Sequence, residues 1–424
     1  MINLSILKRI FTLKDLRNKI LFTGLIVLIY RFLSHVPLPG VDTTGLQNFF
    51  ENNQVLGMLD LFSGGSISRF SLVMLGVGPY ITSSIVFQLL TMAIPSLEAL
   101  QKEGEYGKQK INQYTRYLSV PLAVVEAYGL IRILQSQNVL SALTSADLAL
   151  VIVSAAAGSV FLMWLGEILS EKGIGNGISL IISVGIIAGL PNQIAATAQI
   201  IENQYLIAAE IILAFVAMIA FIVFVNEAER RVPVSYARRI RAGRSLGKID
   251  SYLPIKANAA GVIPIIFATS LLVVPNVASQ MLQTAKSEAL QNIGTQVTRI
   301  FSDNLFYGIT FFVLVFAFTF FYTSIIFQPK QMAENLQKQG GFIPGVRPGT
   351  QTAAYLSNII YKVTFPGALF LAVVALFPIL LTQATGIQTL TIGGTGILII
   401  VSVTLEIVRT LKAQLAMRSY DDLL

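Results

Sequence analysis

Residues 305–327 read LFYGITFFVLVFAFTFFYTSIIF, a run of 23 residues without a single charge. About 20 consecutive apolar residues are enough for a helix to cross the hydrocarbon core of a bilayer. The rest of the 424-residue chain has the same character, with 54% hydrophobic and only 12% charged residues. About a quarter of the residues in a soluble chain are charged, so lipid must cover much of this surface. The sequence therefore predicts an integral membrane protein.

Ten apolar runs divide the chain, and each predicts one transmembrane helix of an all-α fold. The first and fifth runs are short, so they either borrow flanking residues or do not cross the full core. In chain order the runs cover 20–33, 71–94, 118–134, 148–169, 177–190, 206–225, 257–274, 305–327, 363–381 and 391–408.

Lys and Arg residues indicate the orientation, because cytoplasmic loops of membrane proteins carry an excess of them. If the N-terminus is in the cytoplasm, 25 of the 30 Lys and Arg residues lie on the cytoplasmic side of the membrane. A missed span would exchange the sides of all later loops and destroy this bias. Both termini are therefore predicted to be cytoplasmic. The net charge of +8 needs no nucleic-acid partner to explain it.

Ten spans divide into two halves of five, residues 1–190 and 191–424. An odd number of spans per half turns the second half upside down, as in inverted-repeat channels and transporters. Residues 76–81 and 261–266 both read G-V-x-P-x-I, and each lies in the second span of its half. Gly and Pro interruptions at corresponding positions mark the functional centre of such folds. Chance is the alternative, because Gly, Val and Ile are abundant in this chain.

Few residues of the chain could perform catalysis or bind a metal. There is no cysteine, and the one histidine, His35, reads as a loop residue, which argues against a metal centre and leaves no thiol nucleophile. The glycine-rich stretch 173–177 follows a membrane helix and lacks the lysine of a phosphate-binding loop. We interpret it as a tight turn and expect no cofactor.

Ionisable groups inside the spans are scarce, which bears on the transport mechanism. A secondary transporter of a small solute usually carries such groups near the bilayer midplane. Glu126 is the one acid clearly inside a run, where it could make a helix contact, face a pore or relay a proton. An intramembrane enzyme would need a catalytic dyad, but Asp60, Asp147 and Glu126 lie on different segments. An inverted-repeat transporter stays the alternative to a channel.

Three loops are distinguished by their composition. Residues 226–257 hold eight Lys and Arg residues, which suit either lipid headgroups or an anionic partner. Residues 328–362 carry Arg347 in a turn rich in Gly and Pro, as expected of a docking point. On the outer side, residues 34–70 lead into the second span. They form either an ordinary loop or a short re-entrant helix that fills a cavity.

Six short motifs follow one another along nearly the whole chain. They are FSGG at 62–65, GPYI at 78–81, QYTRY at 113–117, GIGNGIS at 173–179, PIK at 254–256 and GFIPGVRPG at 341–349. Each is weak alone, but all six in order with ten spans are specific. Together they resemble the SecY family of protein-conducting channels.

The resemblance implies two inverted five-helix halves around an hourglass pore, closed at its waist by apolar side chains. The family's pore ring matches Val77, Ile81, Ile182, Ile186, Ile266 and Ile399. A plug is implied over about 57–70, including Phe62, Ser63, Gly64, Gly65, Ser66 and Arg69. Polar positions of a lateral gate match Thr269 and Ser270. Residues that dock a motor or ribosome match Arg238, Arg239, Arg241, Arg244 and Arg347.

The function implied by the resemblance is the passage of unfolded secretory chains across the bacterial plasma membrane, with sideways release of membrane segments. The implied partners are SecE and usually SecG as channel subunits, the SecA motor or the ribosome, signal peptides and nascent chains, and membrane lipid. No enzymatic activity is expected, because the energy for movement must come from outside this chain.

Overall fold

A computed structural model describes residues 13–38, 60, 63–136, 140, 144–200, 205–236, 251–283, 287–387 and 389–421. Within these residues the chain forms thirteen helices and three short strands. The helices are α1 Lys14–Leu33, α2 Gly78–Ala93, α3 Pro95–Lys102, α4 Glu105–Ser136, α5 Ser145–Lys172, α6 Gly177–Ile200, α7 Tyr205–Glu227, α8 Ile263–Gln283, α9 Glu288–Ser302, α10 Asn304–Ile326, α11 Pro329–Lys338, α12 Thr350–Thr385 and α13 Thr389–Asp421. The strands are β1 Glu229–Tyr236, β2 Ser251–Lys256 and β3 Gly341–Phe342.

Each of the ten predicted runs overlaps one of these helices. In the described part of the chain, six helical segments are long and apolar enough to cross a bilayer, namely α4, α5, α6, α7, α10 continued by α11, and α12. The pair α2 and α3 passes the same test together but is bent by 102°. Pro95 opens α3 and disfavours helical geometry at the residue before it, so α2 ends there. The number of helices that cross the membrane stays a prediction.

The two G-V-x-P-x-I repeats adopt the same backbone conformation. Gly76 and Gly261 have positive φ angles of 57° and 64°, which glycine adopts at no steric cost. Helices α2 and α8 each begin two residues after this glycine, so the first residues of both predicted runs are not helical. In each repeat the N–H of the final isoleucine, Ile81 or Ile266, donates to the carbonyl of the motif's valine.

The chain divides into two compact units. The first comprises Met1–Glu210, Ser270–Tyr307 and Pro378–Leu424, and the second comprises Ile211–Thr269 and Gly308–Phe377. In the first unit, α6 packs against α1, α5 and α13, while α2 packs against α4 and α5. Helix α6 is therefore in contact with three other helices of this unit.

The glycine-rich stretch forms the tight turn that the sequence predicts. Helix α5 ends at Lys172 and α6 begins at Gly177. The Asn176 side chain caps α6, because its Oδ1 accepts two N–H groups of the first turn at 3.1 Å. A Cβ on Gly177 would lie 2.2 Å from the Gly166 carbonyl oxygen, so only glycine permits this approach of α5 and α6.

In the second unit, a three-stranded sheet joins the two loops that are predicted to be cytoplasmic. Its strand order is β2-β1-β3, and both pairings are antiparallel. The predicted all-α fold therefore also contains a small β-sheet, which the sequence did not predict. Apolar side chains from both loops and from α12 form a small core beneath the sheet, namely Val232, Ile255, Ile343, Leu356 and Ile360.

A buried amide pair positions the glycine that precedes α8. Asn258 Nδ2 donates to Asn226 Oδ1 at 2.8 Å, and Asn258 Oδ1 accepts the N–H of Gly261 at 3.0 Å. Both asparagines are buried. Since buried amides are costly without partners, these hydrogen bonds favour one conformation of the turn into α8.

Candidate functional site

Five of the six candidate ring residues lie in the first unit. Ile182 and Ile186 are on α6, and Ile399 is on α13, which packs against α6. All three are buried. Val77, directly before α2, is also buried, and Ile81 in the first turn of α2 is half-buried. Two packed helices, α6 and α13, therefore carry three of the predicted ring residues.

The outer loop, defined here as residues 63–77 between α1 and α2, consists of consecutive turns. Gly64, Gly65 and Phe70 have positive φ angles of 73°, 74° and 47°, which a right-handed helix cannot contain. From Ser63 onward the predicted plug is therefore a loop and not the short re-entrant helix that was the alternative. Backbone groups of the loop form hydrogen bonds with the rest of the protein. For example, the N–H of Leu38 donates to the Phe70 carbonyl at 2.9 Å. Phe62 lies outside the described residues.

The outer loop rests directly on α6 through two glycines. A Cβ on Gly64 would lie 2.7 Å from the Cα of Gly185 and 2.5 Å from the hydroxyl oxygen of Tyr30. The same hydroxyl donates to the Ser63 carbonyl at 3.0 Å. Because Gly185 immediately precedes Ile186, the loop contacts the helix that carries two candidate ring residues.

The single histidine connects α1 to the outer loop. His35 Nδ1 lies 2.8 Å from the carbonyl oxygen of Arg31, and Nε2 lies 2.9 Å from Nη1 of Arg69. A carbonyl oxygen can only accept a hydrogen bond and a guanidinium can only donate one. In this arrangement Nδ1–H donates to the Arg31 carbonyl, and Nε2 accepts from Arg69. His35 is indeed a loop residue, and it binds a predicted plug residue.

Asp60, three residues before the outer loop, binds the backbone of that loop. Its Oδ1 accepts the backbone N–H groups of Ile67 and Ser68 at 3.0 Å and 2.8 Å. Burial raises the pKa of the Asp60 carboxyl, and the hydrogen bonds from Ser68 and Ile67 oppose that rise. This carboxylate has a structural role that the sequence did not reveal, since only the folded turn brings these N–H groups together.

The candidate gate residues Thr269 and Ser270 lie on α8, just after the candidate ring residue Ile266. Ile266 and Thr269 are buried, and Ser270 is half-buried. Thr269 Oγ1 donates to the Ile266 carbonyl at 2.8 Å. One helical turn of α8 therefore carries a candidate ring residue and both candidate gate residues.

Glu126, whose role the sequence left open, is a contact between two helices. Thr82 Oγ1 on α2 lies 3.3 Å from Oε1 of Glu126 on α4, and donates to it. Glu126 is half-buried, and its other oxygen faces the start of α2, 3.7 Å from where a Cβ of Gly78 would lie. Sequence reasoning missed Thr82, although a hydroxyl residue directly after Ile81 was the available signal.

The candidate docking residues are described only in part. Arg347 is exposed, and its carbonyl accepts a hydrogen bond from the buried Thr352 at 2.9 Å. The tip of the other loop, including Arg238, Arg239, Arg241 and Arg244, lies outside the described residues.

The structure describes the base of the 226–257 loop, which includes Arg231 on β1. Arg231 is exposed, lies 2.7 Å from Glu229 Oε1 and stacks over the ring of Tyr252 at 4.8 Å.

The family model of SecY matches residues 71–408. The chain belongs to the SecY family. Among its relatives, the protein translocase subunit SecY of Streptomyces coelicolor is 40% identical over 440 residues, with 99% of this chain and 100% of that protein covered. The protein translocase subunit SecY of Mycobacterium tuberculosis is 39% identical over 433 residues, with 97% of each covered.

Solved structures share the SecY-family fold. One described as a protein conducting channel matches with a TM-score of 0.63 at 21% identity, covering 92% of this chain and 91% of that one. Another, of a SecY protein whose plug domain stabilises the closed channel, matches with a TM-score of 0.60 at 21% identity over the same shares. At these identities the likeness establishes the fold, that of a mostly helical, multi-pass membrane protein.

The approach of Gly64 to Gly185 predicts that Gly64→Ala loosens the outer loop. Gly65→Ala is the matched control, because Gly65 has nearly the same φ but a Cβ there would meet only Arg69 atoms at 4.0 Å. The chain has no cysteine, so Ser66→Cys supplies a single buried thiol in each background. We expect maleimide to label that thiol about tenfold faster with Gly64→Ala, as a loss of about 1.4 kcal/mol would give. Equal rates in the two backgrounds would contradict the predicted contact.

Proposed function

We propose that this chain is the protein-conducting channel subunit of a Sec translocase. It passes unfolded secretory chains across the plasma membrane and releases membrane segments sideways into lipid. The observation that carries the proposal is the full-length similarity to translocase subunits, with 99% of this chain and 100% of the Streptomyces coelicolor protein covered. That similarity favours a channel over a transporter of small solutes.

The chemistry of the ring suits a pore for polypeptides. A translocating chain carries every kind of side chain, so a polar or charged lining would bind some of them and stall movement. An apolar constriction offers no fixed partner and excludes ions by dewetting. Branching at Cβ makes Val and Ile stiff, which suits a seal around a moving chain. The proposed ring consists of Val77, Ile81, Ile182, Ile186, Ile266 and Ile399.

The plug that closes the resting channel is proposed to comprise about residues 57–70, whose described part from Ser63 to Phe70 belongs to the outer loop. It is held by separate hydrogen bonds from α1 and the residues after it, such as Tyr30 to Ser63 and Arg31 to Gly64. The tie between His35 and Arg69 is of the same kind. A typical hydrogen bond contributes about 1 kcal/mol net, so an arriving chain could exchange these contacts for its own.

The lateral gate is proposed to involve α2 and α4 as well as α8. Thr269 and Ser270 provide hydroxyls on α8, and the Thr82–Glu126 hydrogen bond is a polar contact between α2 and α4. A hydrogen bond across two apolar helices is specific but weak enough to be replaced when a signal peptide enters. In this proposal Glu126 makes a helix contact rather than relaying protons.

The basic loop tips are proposed to dock the SecA motor or a ribosome. The sheet of β1, β2 and β3 holds both loops together, and the core beneath it fixes the turn that presents Arg347. Arg238, Arg239, Arg241 and Arg244 belong to the same proposed surface. A solved ribosome–channel complex containing Sec61 has this fold, with a TM-score of 0.60 at 20% identity, 92% of this chain and 91% of that chain being covered.

Further partners and the location follow from the same proposal. They are SecE and usually SecG within the channel, signal peptides and nascent chains in the pore, and lipid around it. The location is the bacterial plasma membrane with both termini in the cytoplasm, which the distribution of Lys and Arg supports. The chain itself performs no catalysis in this proposal, and the motor or ribosome supplies the energy.

The division into inverted halves, residues 1–190 and 191–424, also belongs to the proposal. It is supported by the shared backbone of the two G-V-x-P-x-I motifs, in which a glycine of positive φ precedes α2 and α8 alike. On this basis Ile81 and Ile266 occupy equivalent places in the two halves.

The proposed ring predicts that Ile399→Asn opens the resting channel to ions. Ile399 is fully buried, and burying an unpaired amide costs about 1–3 kcal/mol, so the population of the closed state relative to the open state falls about 5- to 150-fold. Ile399→Leu keeps an apolar side chain of equal size and is the control. The measurement is ion conductance of the reconstituted channel in a planar bilayer. An Asn variant that assembles normally and conducts no more than the Leu variant would contradict the assignment.

The proposed docking surface predicts that Arg347→Glu abolishes motor-driven export without affecting assembly. Arg347 is exposed and its side chain supports no described core, whereas charge reversal would repel an acidic partner surface. Lys338→Glu, also exposed and at the end of α11, is the matched charge reversal. Export of a purified precursor into vesicles is measured with each variant. Equal export by Arg347→Glu and Lys338→Glu would exclude a specific docking role.

A further inference from the structure

Helix α9 has no part in the proposed function, yet its composition is strongly one-sided. It reads EALQNIGTQVTRIFS, and its larger apolar residues follow the three-and-four spacing of a single stripe. Leu290, Ile293 and Ile300 remain 41%, 50% and 47% exposed. Val297 lies between them and is half-buried. An apolar stripe of this length is unfavourable in water and calls for an apolar partner.

A neighbouring face of α9 packs against the end of α8. A Cβ on Gly294 would lie 2.7 Å from the Ser279 carbonyl oxygen, so the two backbones are in close contact. Thr298 Oγ1 lies 3.0 Å from Ser279 Oγ and accepts a hydrogen bond from Gln283 Nε2 at 2.6 Å. These contacts fix the rotation of α9 about its own axis. The apolar stripe therefore cannot turn towards α8.

The remaining face of α9 is polar and exposed, and it lies roughly opposite the stripe. It carries Glu288, Asn292, Thr295 and Arg299. With one acid and one base, α9 has no net charge. Attraction between opposite charges is therefore not what would hold α9 to a partner.

The apolar stripe lies next in sequence to a helix that can span the membrane. Helix α9 ends at Ser302 and α10 begins at Asn304. The rings of Phe301 and Phe306 meet edge to face with centroids 5.6 Å apart across this junction. Leu305, next to it, is exposed at the start of one of the segments apolar enough to cross a bilayer. The stripe thus ends at Ile300, directly before the Phe301–Phe306 contact and close in sequence to the apolar start of α10 at Leu305.

We propose that α9 lies in the headgroup region of the bilayer and binds the lipid surface through Leu290, Ile293, Val297 and Ile300. An amphipathic helix of this kind inserts its apolar face about 5–10 Å into the boundary between headgroups and acyl chains. Because α9 is neutral, zwitterionic lipid is sufficient. This surface holds the end of α8 at the membrane, whether or not the chain conducts polypeptides.

The test uses the absence of cysteine from the chain. Ile293→Cys and Leu290→Cys each carry an environment-sensitive fluorophore on the stripe, and Thr295→Cys and Asn292→Cys carry it on the polar face as matched controls. The channel is reconstituted in phosphatidylcholine vesicles that contain a lipid spin-labelled near the headgroup or deep in the acyl chain. We expect the shallow label to quench the two stripe positions at least about twofold more than the two controls, and more than the deep label does.

Two results would overturn the proposal. Equal quenching of the stripe and control positions would mean that α9 does not rest on lipid. An apolar emission spectrum at Ile293→Cys and Leu290→Cys without quenching by either lipid label would mean that a protein covers the stripe instead. Agreement between the two stripe positions excludes a fault of one labelled variant.

Discussion

The rest of the structure depends on one constraint: fifteen residues of irregular backbone must find hydrogen-bond partners for their N–H and carbonyl groups among the neighbouring helices. Residues 63–77 form turns between α1 and α2, and most of them are buried, so their N–H and carbonyl groups need partners within the protein. Protein supplies the partners: Tyr30 binds the Ser63 carbonyl, Leu38 binds Phe70, and the Ser159 hydroxyl binds the Gly76 carbonyl at 2.9 Å. Burial of this segment within the first unit is thus required by its shape.

The same requirement fixes where the candidate ring begins. A buried loop must have close neighbours, and Gly64 achieves this by meeting Gly185 on α6, one residue before Ile186. At its other end the loop turns at Gly76, which leaves Val77 buried and starts α2. The segment proposed as plug and the residues proposed as ring are therefore parts of one packed arrangement. A substitution that loosens the proposed plug should therefore also disturb the packing of the proposed ring.

Local patterns in the sequence predicted most of the helices. They did not predict contacts between residues that are distant in the chain. Apolar runs located ten of the thirteen described helices, and the repeated G-V-x-P-x-I marked the starts of two of them, because both signals depend on neighbouring residues. The pairing of β1 with β3 was beyond prediction because it joins residues more than a hundred positions apart, whereas the more local pairing of β1 with β2 was missed in a loop interpreted only by its charge. The partners of Asp60 and Glu126 depend on tertiary packing in the same way. Of the two alternatives for the outer segment, an ordinary loop or a short re-entrant helix, the described residues from Ser63 onward form the loop, because positive φ angles interrupt any helix there.

The most direct test of the central claim is photocrosslinking from the ring to a secretory chain arrested in the channel. A photoreactive residue replaces Ile81 or Ile186 in the proposed ring, or Leu213, which is exposed on α7 and serves as the control. If the ring surrounds the path of the chain, both ring positions crosslink to the arrested chain and Leu213 does not. Crosslinks of equal yield at Leu213, or none at Ile81 and Ile186 while the chain is arrested, would contradict a polypeptide pore at these residues.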